Sequence, residues 1–127
     1  MPLQAFDHVN VRTARLDETV AFYGEVLGLV PGERPDFGFP GAWLYLGDRA
    51  LVHLIGVEGS PVAGQDLSLE HFAFSATGVS EFVAKLDSLD VDYTVNTFPG
   101  IPVVQVNFFD PNGIHIHVDF PKSEWDG

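Results

Sequence analysis

Hydrophobic and polar residues alternate along several short segments of the chain, and two longer stretches show helical spacing. Around residues 8–12, Val9 and Val11 alternate with polar side chains, which predicts a strand with one apolar face. Apolar residues at helical spacing follow in two places: Leu16, Val20, Tyr23 and Leu27, and later Val79, Phe82, Val83, Leu86 and Leu89. The pattern predicts two amphipathic helices, with Asp17 and Ser80 as their N-terminal caps.

These helices belong to an internal repeat. The segment FDHVNVRTARLDETVAFYGEVL (6–27) matches LEHFAFSATGVSEFVAKLDSLD (69–90) in kind, because each opens with an apolar residue, an acid and a histidine, continues as a strand and becomes helical. Three short extended segments punctuated by Gly and Pro follow each helix: 30–36, 41–46 and 49–55 in the first half, and 91–97, 102–109 and 113–119 in the second. Each half therefore reads βαβββ.

The repeat also predicts the organisation of the chain and its fold class. We expect a first βαβββ module at 1–57, a linker rich in Gly and small residues at 58–67, a second module at 68–121 and a loose C-terminal tail at 122–127. The clearest turn signal is Asp110-Pro111-Asn112-Gly113, between two apolar strands. Strands and helices in this order predict an α+β protein.

Histidines lie on the same face of the equivalent strands in both halves. Val52 and Leu54 alternate with His53, and Ile114, Ile116 and Val118 alternate with His115 and His117. A lone strand histidine is usually a surface or core residue. Four at equivalent positions of a repeat predict imidazoles that converge on one divalent metal: His8, His53, His71 and His117. His115, whose equivalent is Leu51, is expected beside this set rather than in it.

Composition excludes several classes of partner. The chain has 127 residues and a formal charge of -12, which repels nucleic acid and anionic membranes. It has no cysteine, so disulfides, thiolate zinc sites and a catalytic thiol are excluded. No signal peptide and no membrane-spanning run is visible, so we expect a cytoplasmic protein that binds neither nucleic acid nor membrane.

Several motifs resemble the vicinal oxygen chelate superfamily, which includes glyoxalase I, extradiol dioxygenases and bleomycin-binding proteins. They are FDHVNV, TVAFYGEVLGLVPGE, LVHLI, LEHFAFSATGVSEFVAKL and FFDPNGIHIHVDF, and they span nearly the whole chain. The resemblance implies two βαβββ modules that form an eight-stranded, cup-shaped mixed sheet with helices on its outer face. It also implies a small-molecule substrate and a homodimer.

In metal-dependent members of this superfamily the first and last strands of each module supply the ligands. Carried over by position, these are His8, His53, His71 and His117, whereas the family usually has glutamate at the last position. Loss of that carboxylate leaves proton transfer to an imidazole that leaves the metal, such as His117, to His115, or to a bound hydroxide. A histidine-rich set disfavours magnesium and calcium, so one divalent Fe, Ni, Co, Zn or Cu ion per site is expected.

Other polar and aromatic residues on the cup side are candidates for substrate binding. Arg12 lies on the His8 face and could hold a carboxylate. Gln105 and Asn107 share a strand face and could orient substrate oxygens, although polar edge-strand faces are common. Trp43 and Tyr45 could form an apolar wall, a role that core packing explains equally well. Residues 35–41 are interpreted as a mobile flap.

Three functions fit this sequence. The leading hypothesis is a metal-dependent, glyoxalase-like lyase or isomerase whose small substrate binds the metal through adjacent oxygens. The second is a non-haem iron dioxygenase of the extradiol type. The third is a metal-free protein that sequesters a drug or metabolite, as bleomycin-resistance members do.

Overall fold

The computed structural model describes residues 2, 4–59, 61 and 67–126, and in these residues it contains two βαβββ units. Clustering of contacts divides the chain into Met1–Val62 and Ala63–Gly127. Much of the expected linker, residues 60 and 62–66, lies outside the described residues. The α+β fold of two βαβββ modules is thereby confirmed, whereas the joining of the two sheets into a cup stays a prediction.

The first unit consists of β1 (Val9–Thr13), α1 (Leu16–Leu27), β2 (Val30–Gly32), β3 (Gly41–Leu46) and β4 (Arg49–Gly56). Its sheet has the order β1-β4-β3-β2, with β1 parallel to β4 and the other neighbours antiparallel. Helix α1 packs on β2, β3 and β4. The buried core between them contains Val11, Tyr23, Val26, Leu29, Leu44, Val52 and Leu54.

The second unit repeats this order with β5 (Phe72–Ser75), α2 (Val79–Ser88), β6 (Thr94–Thr97), β7 (Val103–Phe109) and β8 (His115–Pro121). The sheet order is β5-β8-β7-β6, again with one parallel pair, β5 and β8. Phe82 of α2 contacts Phe108 and Phe120, so this helix packs on β7 and β8. Burial of each such side chain contributes about 1.5–3 kcal/mol.

The predicted turn at 110–113 connects β7 to β8. The Asp110 carboxylate accepts hydrogen bonds from the backbone N–H of Asn112 at 2.7 Å and of Ile114 at 3.0 Å. Gly113 has a φ of 81°, which favours glycine because a side chain is strained there. This turn fixes the register in which His115 and His117 face the neighbouring strand.

Both predicted helix caps are wrong. Helix α1 begins after Arg15, so Asp17 lies in its first turn and makes no capping hydrogen bond. Helix α2 begins after Gly78, and the Glu124 carboxylate accepts hydrogen bonds from the backbone N–H of Gly78 at 2.9 Å and of Val79 at 3.2 Å. The C-terminal segment was expected to be loose, but Lys122–Glu124 form a 3-10 turn from which Glu124 reaches α2.

No helix in the described part of the chain is long and apolar enough to cross a membrane. Helix α1 has 12 residues and α2 has 10, well below the roughly 20 residues that a bilayer requires.

Candidate functional site

In the first unit, three aromatic side chains form a stack. The rings of His8 and His53 lie face to face, with centroids 3.7 Å apart and planes inclined by 8°. Trp43, the cross-strand neighbour of His53 on β3, also stacks on His53 at 4.1 Å and 13°. The sequence predicted that His8 and His53 share a face, and the structure brings the two rings into contact.

Each histidine of this pair has one ring nitrogen engaged in a hydrogen bond. Nδ1 of His8 lies 2.7 Å from Oδ1 of Asp7, and Nε2 of His53 donates to the carbonyl of Ala50 at 3.1 Å. The hydrogen bond with His8 lowers the pKa of Asp7. Burial, followed by the proximity of His8, lowers the pKa of His53. The neutral imidazole that metal binding requires is therefore favoured at His53.

The stacked arrangement limits what these two rings can bind together. An imidazole lone pair lies in the plane of its ring, and a metal such as zinc lies about 2.0–2.1 Å from the nitrogen. An ion in the plane of one ring is farther than that from every atom of a parallel ring stacked on it. Of His8 and His53 as they lie here, only one can therefore bind a given ion, and joint binding requires one ring to rotate.

In the second unit, three histidine rings form a cluster instead of a parallel stack. The centroid of His71 lies 4.5 Å from that of His117 and 5.2 Å from that of His115, with interplanar angles of 43° and 55°. His117 is buried, whereas the side chains of His71 and His115 are 38% and 22% exposed. Inclined rings direct their lone pairs differently, so the limit on the first pair does not apply here.

Carboxylates orient these histidines. The two oxygens of Glu70 accept from Nδ1 of His71 at 2.5 Å and from Nδ1 of His115 at 2.9 Å. Oδ1 of Asp119 accepts from Nδ1 of His117 at 2.7 Å. Because a carboxylate is an acceptor, these contacts place a proton on each Nδ1 and leave the lone pair of His71 and His117 on Nε2. Metal-binding histidines are commonly held in this way by a carboxylate on the opposite nitrogen.

His115 differs because both of its ring nitrogens have partners. Its Nε2 lies 2.8 Å from the side-chain oxygen of Asn107, while Nδ1 faces Glu70. The buried amide nitrogen of Asn107 has no hydrogen-bond partner in the described structure. Asn107 was predicted to orient substrate oxygens. In the structure the side-chain oxygen of Asn107 holds His115.

Glu70, Asp7 and Asp119 were not predicted as site residues. One oxygen or nitrogen atom from each of Glu70, His71 and His115 lies within 4.8 Å of the others, and this is the group of three in the described residues that could hold a metal ion. The repeat carried a signal for two of the acids, since FDH and LEH both place a carboxylate before the histidine. Asp119 lies two residues after His117 on the same strand face.

The remaining predicted residues lie apart from these contacts. Arg12 is exposed on β1, and Gln105 is half-buried on β7 opposite Asp119. Tyr45 uses its hydroxyl to donate to the carbonyl of Glu33 at 2.6 Å. With Trp43, it borders an open groove of about 570 Å³ in the first unit. The structure therefore places Trp43 and Tyr45 on one surface and gives Arg12 and Gln105 no contact with the histidines.

Two βαβββ units, each with contacting histidines on its sheet, define a small α+β protein built on a repeated module. The model of the Glyoxalase/Bleomycin resistance protein/Dioxygenase superfamily matches residues 5–118, and the chain belongs to that superfamily. The resemblance noted from the sequence motifs is thereby confirmed.

Individual relatives agree with this assignment. Glyoxylase I 4 of Arabidopsis thaliana is 30% identical over 123 residues, which cover 91% of this chain and 70% of the relative. A putative glyoxalase family protein from Bacillus anthracis has a similar structure, with a TM-score of 0.77, 25% identity, and coverage of 94% of this chain and 97% of that one. Lactoylglutathione lyase from Agrobacterium tumefaciens has a TM-score of 0.72 at 21% identity, over 100% of both chains, and shows the fold alone.

Proposed function

We propose that this protein is a metal-dependent, glyoxalase-like lyase or isomerase whose small substrate binds the metal through adjacent oxygens. Membership of the superfamily and the likeness to Glyoxylase I 4 support this class of activity. The observation that carries the proposal is the orientation of His71 and His117, whose Nδ1 atoms are held by Glu70 and Asp119. Both Nε2 lone pairs are thereby available to a metal.

The proposed cofactor is one divalent transition metal ion, and the proposed ligands are His8, His53, His71 and His117. Because the rings of His8 and His53 are stacked, binding by both requires one of these two rings to rotate. Imidazole nitrogens suit Fe, Ni, Co, Zn and Cu, and the low pKa of His53 favours its neutral form. The carboxylates of Asp7, Glu70 and Asp119 lie behind three of these imidazoles. They supply the negative charge that the missing glutamate ligand would otherwise provide.

Bound there, the metal would act as a Lewis acid that polarises a substrate carbonyl. Among the chain's own residues, His115 is the proposed group for proton transfer. Glu70 and Asn107 hold its ring from both sides, so one of these two hydrogen bonds must open when a ring nitrogen gives or takes the proton. His117 is the second proposed catalytic residue, since it stands where the family usually has glutamate. Asp119 fixes its orientation.

Substrate binding is proposed for Arg12, Trp43 and Tyr45 in the first unit. It is also proposed for Gln105 in the second unit. Trp43 stacks directly on His53, so a ligand that lies along Trp43 is adjacent to a proposed metal ligand. For Asn107 we propose the role of positioning His115 in addition to its expected role toward substrate.

A specific observation favours a second candidate, an extradiol-type dioxygenase. Glu70, His71 and His115 supply two imidazoles and one carboxylate, the donor set of many non-haem iron oxygenases. In that arrangement Glu70, His71 and His115 would hold the ion, and Glu70 would be a direct ligand instead of orienting the two imidazoles.

Metal analysis followed by two activity assays tests these proposals. Purified protein is expected to retain close to one transition metal ion per chain and to isomerise a hemithioacetal of methylglyoxal. Oxygen uptake with catechols, without hemithioacetal turnover, would instead establish the dioxygenase. A protein that binds no divalent transition metal would refute both and support the metal-free sequestering protein.

The same preparation tests the proposed assembly and location. We propose a homodimer, as is common in the superfamily, and a cytoplasmic protein without nucleic-acid or membrane partners. Sedimentation equilibrium is expected to give twice the chain mass of 13.9 kDa. Fractionation of the source cells measures the location directly.

A further inference from the structure

The first unit contains a cationic side chain, Arg34, that has no role in the proposed metal binding. The guanidinium carbon of Arg34 lies 5.0 Å from the ring centroid of Phe37 and 5.2 Å from that of Phe39. Its Nη2 donates to the carbonyl of Phe39 at 3.1 Å. The two phenylalanine rings stack on each other at 5.5 Å. Arg34 is thus held in place by the segment previously interpreted as a flap.

Arg34 has an unmet hydrogen-bonding capacity. Its Nε is buried and has no hydrogen-bond partner, and among the described residues no carboxylate lies within ion-pair distance of its guanidinium. Burial of an unsatisfied donor costs about 1–3 kcal/mol. The unsatisfied Nε distinguishes Arg34 from Arg49, which also donates to a backbone carbonyl but has no buried unsatisfied nitrogen in the described part of the chain.

The surrounding backbone leaves room for this guanidinium. A Cβ atom at Gly41 would lie 2.7 Å from Nη2 of Arg34 and 2.4 Å from the carbonyl oxygen of Leu54. Contacts that short do not occur, so a larger residue at position 41 would displace Arg34 or the strand. The closer contact is with the backbone of β4, which therefore requires glycine at this position, and the absence of a side chain there also leaves space for the guanidinium.

Arg34 also borders the groove beside the first histidine pair. The groove of about 570 Å³ is lined by Glu33, Arg34, Pro35, Trp43 and Tyr45. Its volume lies in the range of small-molecule sites, roughly 300–1,000 Å³. Trp43 forms its aromatic wall and stacks on His53, while Phe37 contacts Trp43 at 6.2 Å. Trp43 therefore lines the groove and also contacts the ring of His53.

We infer that this groove binds an organic carboxylate with a flat, apolar body, whose carboxylate pairs with Arg34 and whose body lies along Trp43. A guanidinium matches a planar carboxylate with two parallel hydrogen bonds, here from Nη1 and the second N–H of Nη2 because Nε is buried. An indole ring suits a flat apolar group. A single cation in a chain of charge -12 favours a monoanion over a more highly charged phosphate. The inference rests on the proposed function only where it identifies this ligand with the substrate.

Tryptophan fluorescence of metal-free protein tests the inference. The chain has two tryptophans, so Trp125→Phe leaves Trp43 as the reporter in the groove. Benzoate is titrated against its neutral isostere benzamide in the presence of EDTA. Benzoate is expected to bind roughly tenfold or more tightly than benzamide, as one charge-assisted contact predicts. Arg34→Gln is expected to abolish this preference, and Arg34→Lys to keep part of it.

Arg49→Gln is the matched control, because Arg49 also donates from Nη2 to a backbone carbonyl, that of Phe6 at 2.8 Å. This variant should keep the preference for benzoate. Benzamide binding reports whether the groove is intact in each variant. Equal affinity for the two ligands in the parent protein, no saturable binding of benzoate, or an unchanged preference in Arg34→Gln would overturn the inference. Since no metal is present, failure of the metal proposal leaves this result unaffected.

Discussion

The histidine pairs of the two units occupy equivalent strands but have different neighbours. The cross-strand partner of His53 is Trp43, whereas that of His117 is Asn107. Along the strands, Leu51 and Ile55 flank His53, while His115 and Asp119 flank His117. The same backbone position is thus apolar and aromatic in the first unit and polar in the second.

This difference in neighbours accounts for the difference in ring geometry. The indole of Trp43 offers His53 a ring face and the neighbours on its strand are apolar, and the rings of His8, His53 and Trp43 are stacked. Carboxylate and amide neighbours hold each ring by its nitrogens, as Glu70 and Asp119 do in the second unit. A repeat therefore reproduces the location of a histidine without reproducing its hydrogen bonds.

The comparison suggests that the two units contribute different groups to the proposed site. The second unit presents oriented imidazoles and a carboxylate, which suit metal binding and proton transfer. The first unit supplies His8 and His53 to the proposed ligand set, and it also presents an aromatic wall and Arg34, which suit the body and charge of a ligand. The following variants test this difference.

The largest effect is expected from the buried, carboxylate-held histidine of the second unit. His117→Ala removes both a proposed ligand and the partner of Asp119, so metal affinity should fall by more than about 100-fold. Inductively coupled plasma mass spectrometry after dialysis measures the bound metal, and circular dichroism checks the fold. Leu51→Ala in the first unit is the control for loss of a strand side chain. Full metal retention in His117→Ala would remove this residue from the ligand set.

Loss of a carboxylate behind an imidazole should have a smaller effect. Asp119→Asn leaves an acceptor near His117 but removes the charge, and metal affinity is expected to fall about 10–100-fold.

Glu70→Gln separates the two proposed functions. A similar loss would fit an orienting role, whereas complete loss of metal would fit Glu70 as a direct ligand. Competition with a chromogenic chelator measures both affinities, and Asp126→Asn serves as a control.

The sequence was sufficient to predict the βαβββ repeat, because alternation and helical spacing directly reflect which side chains become buried. Val104, Val106 and Phe108 of β7 alternate with half-buried or exposed residues, as the apolar pattern predicted. The same periodicity predicted that His53 and His117 lie on equivalent faces of the last strand of their respective units. Whether all four histidines meet one ion stays a prediction.

Hydrogen-bond partners were harder to predict than faces. The contact of Glu70 with His115 joins residues distant in sequence, and that of Asn107 with His115 depends on the register across a hairpin. The predictions of the helix caps were wrong for a similar reason. Serine is a residue type that commonly caps helices, but at the N-terminus of α2 it is Glu124 from the C-terminal turn, not Ser80, that accepts a backbone hydrogen bond. Periodicity indicates burial, whereas these contacts depend on tertiary structure.

A third test concerns stability and addresses this difference between the helices. Glu124→Ala removes the acceptor for the N–H groups of Gly78 and Val79, and the free energy of unfolding should fall by about 1 kcal/mol. At α1 the hydroxyl oxygen of Thr13 accepts from the N–H of Arg15 and Asp17 makes no capping hydrogen bond, so Asp17→Ala, which removes only a first-turn acid, should cost less. Urea denaturation measures both. Equal stability of Glu124→Ala and the parent protein would show that the C-terminal turn does not hold α2.

The smallest expected effect is the pH dependence that His53 contributes to the stability of metal-free protein. Its pKa is lowered in the fold by burial and by His8, so the unfolded chain binds this proton more readily than the native protein does. The stability due to neutral His53 is therefore complete above its unfolded pKa of about 6.5 and is lost as the pH falls below that value. The loss levels off once the native residue is also protonated.

His53→Phe keeps an aromatic ring against Trp43 but cannot be protonated, so it isolates this contribution. Urea midpoints of the two proteins are compared between pH 8 and pH 5 in the presence of EDTA. The difference in stability should shift in favour of His53→Phe as the pH falls. The reason is that only the parent protein has an imidazole at position 53, which the unfolded chain protonates more readily than the native protein does. The carboxylate-paired histidines of the second unit are unchanged in both proteins and cancel. A difference that is constant with pH would mean that His53 is as easily protonated in the stack as in the unfolded chain, and burial and the proximity of His8 would then not lower its pKa.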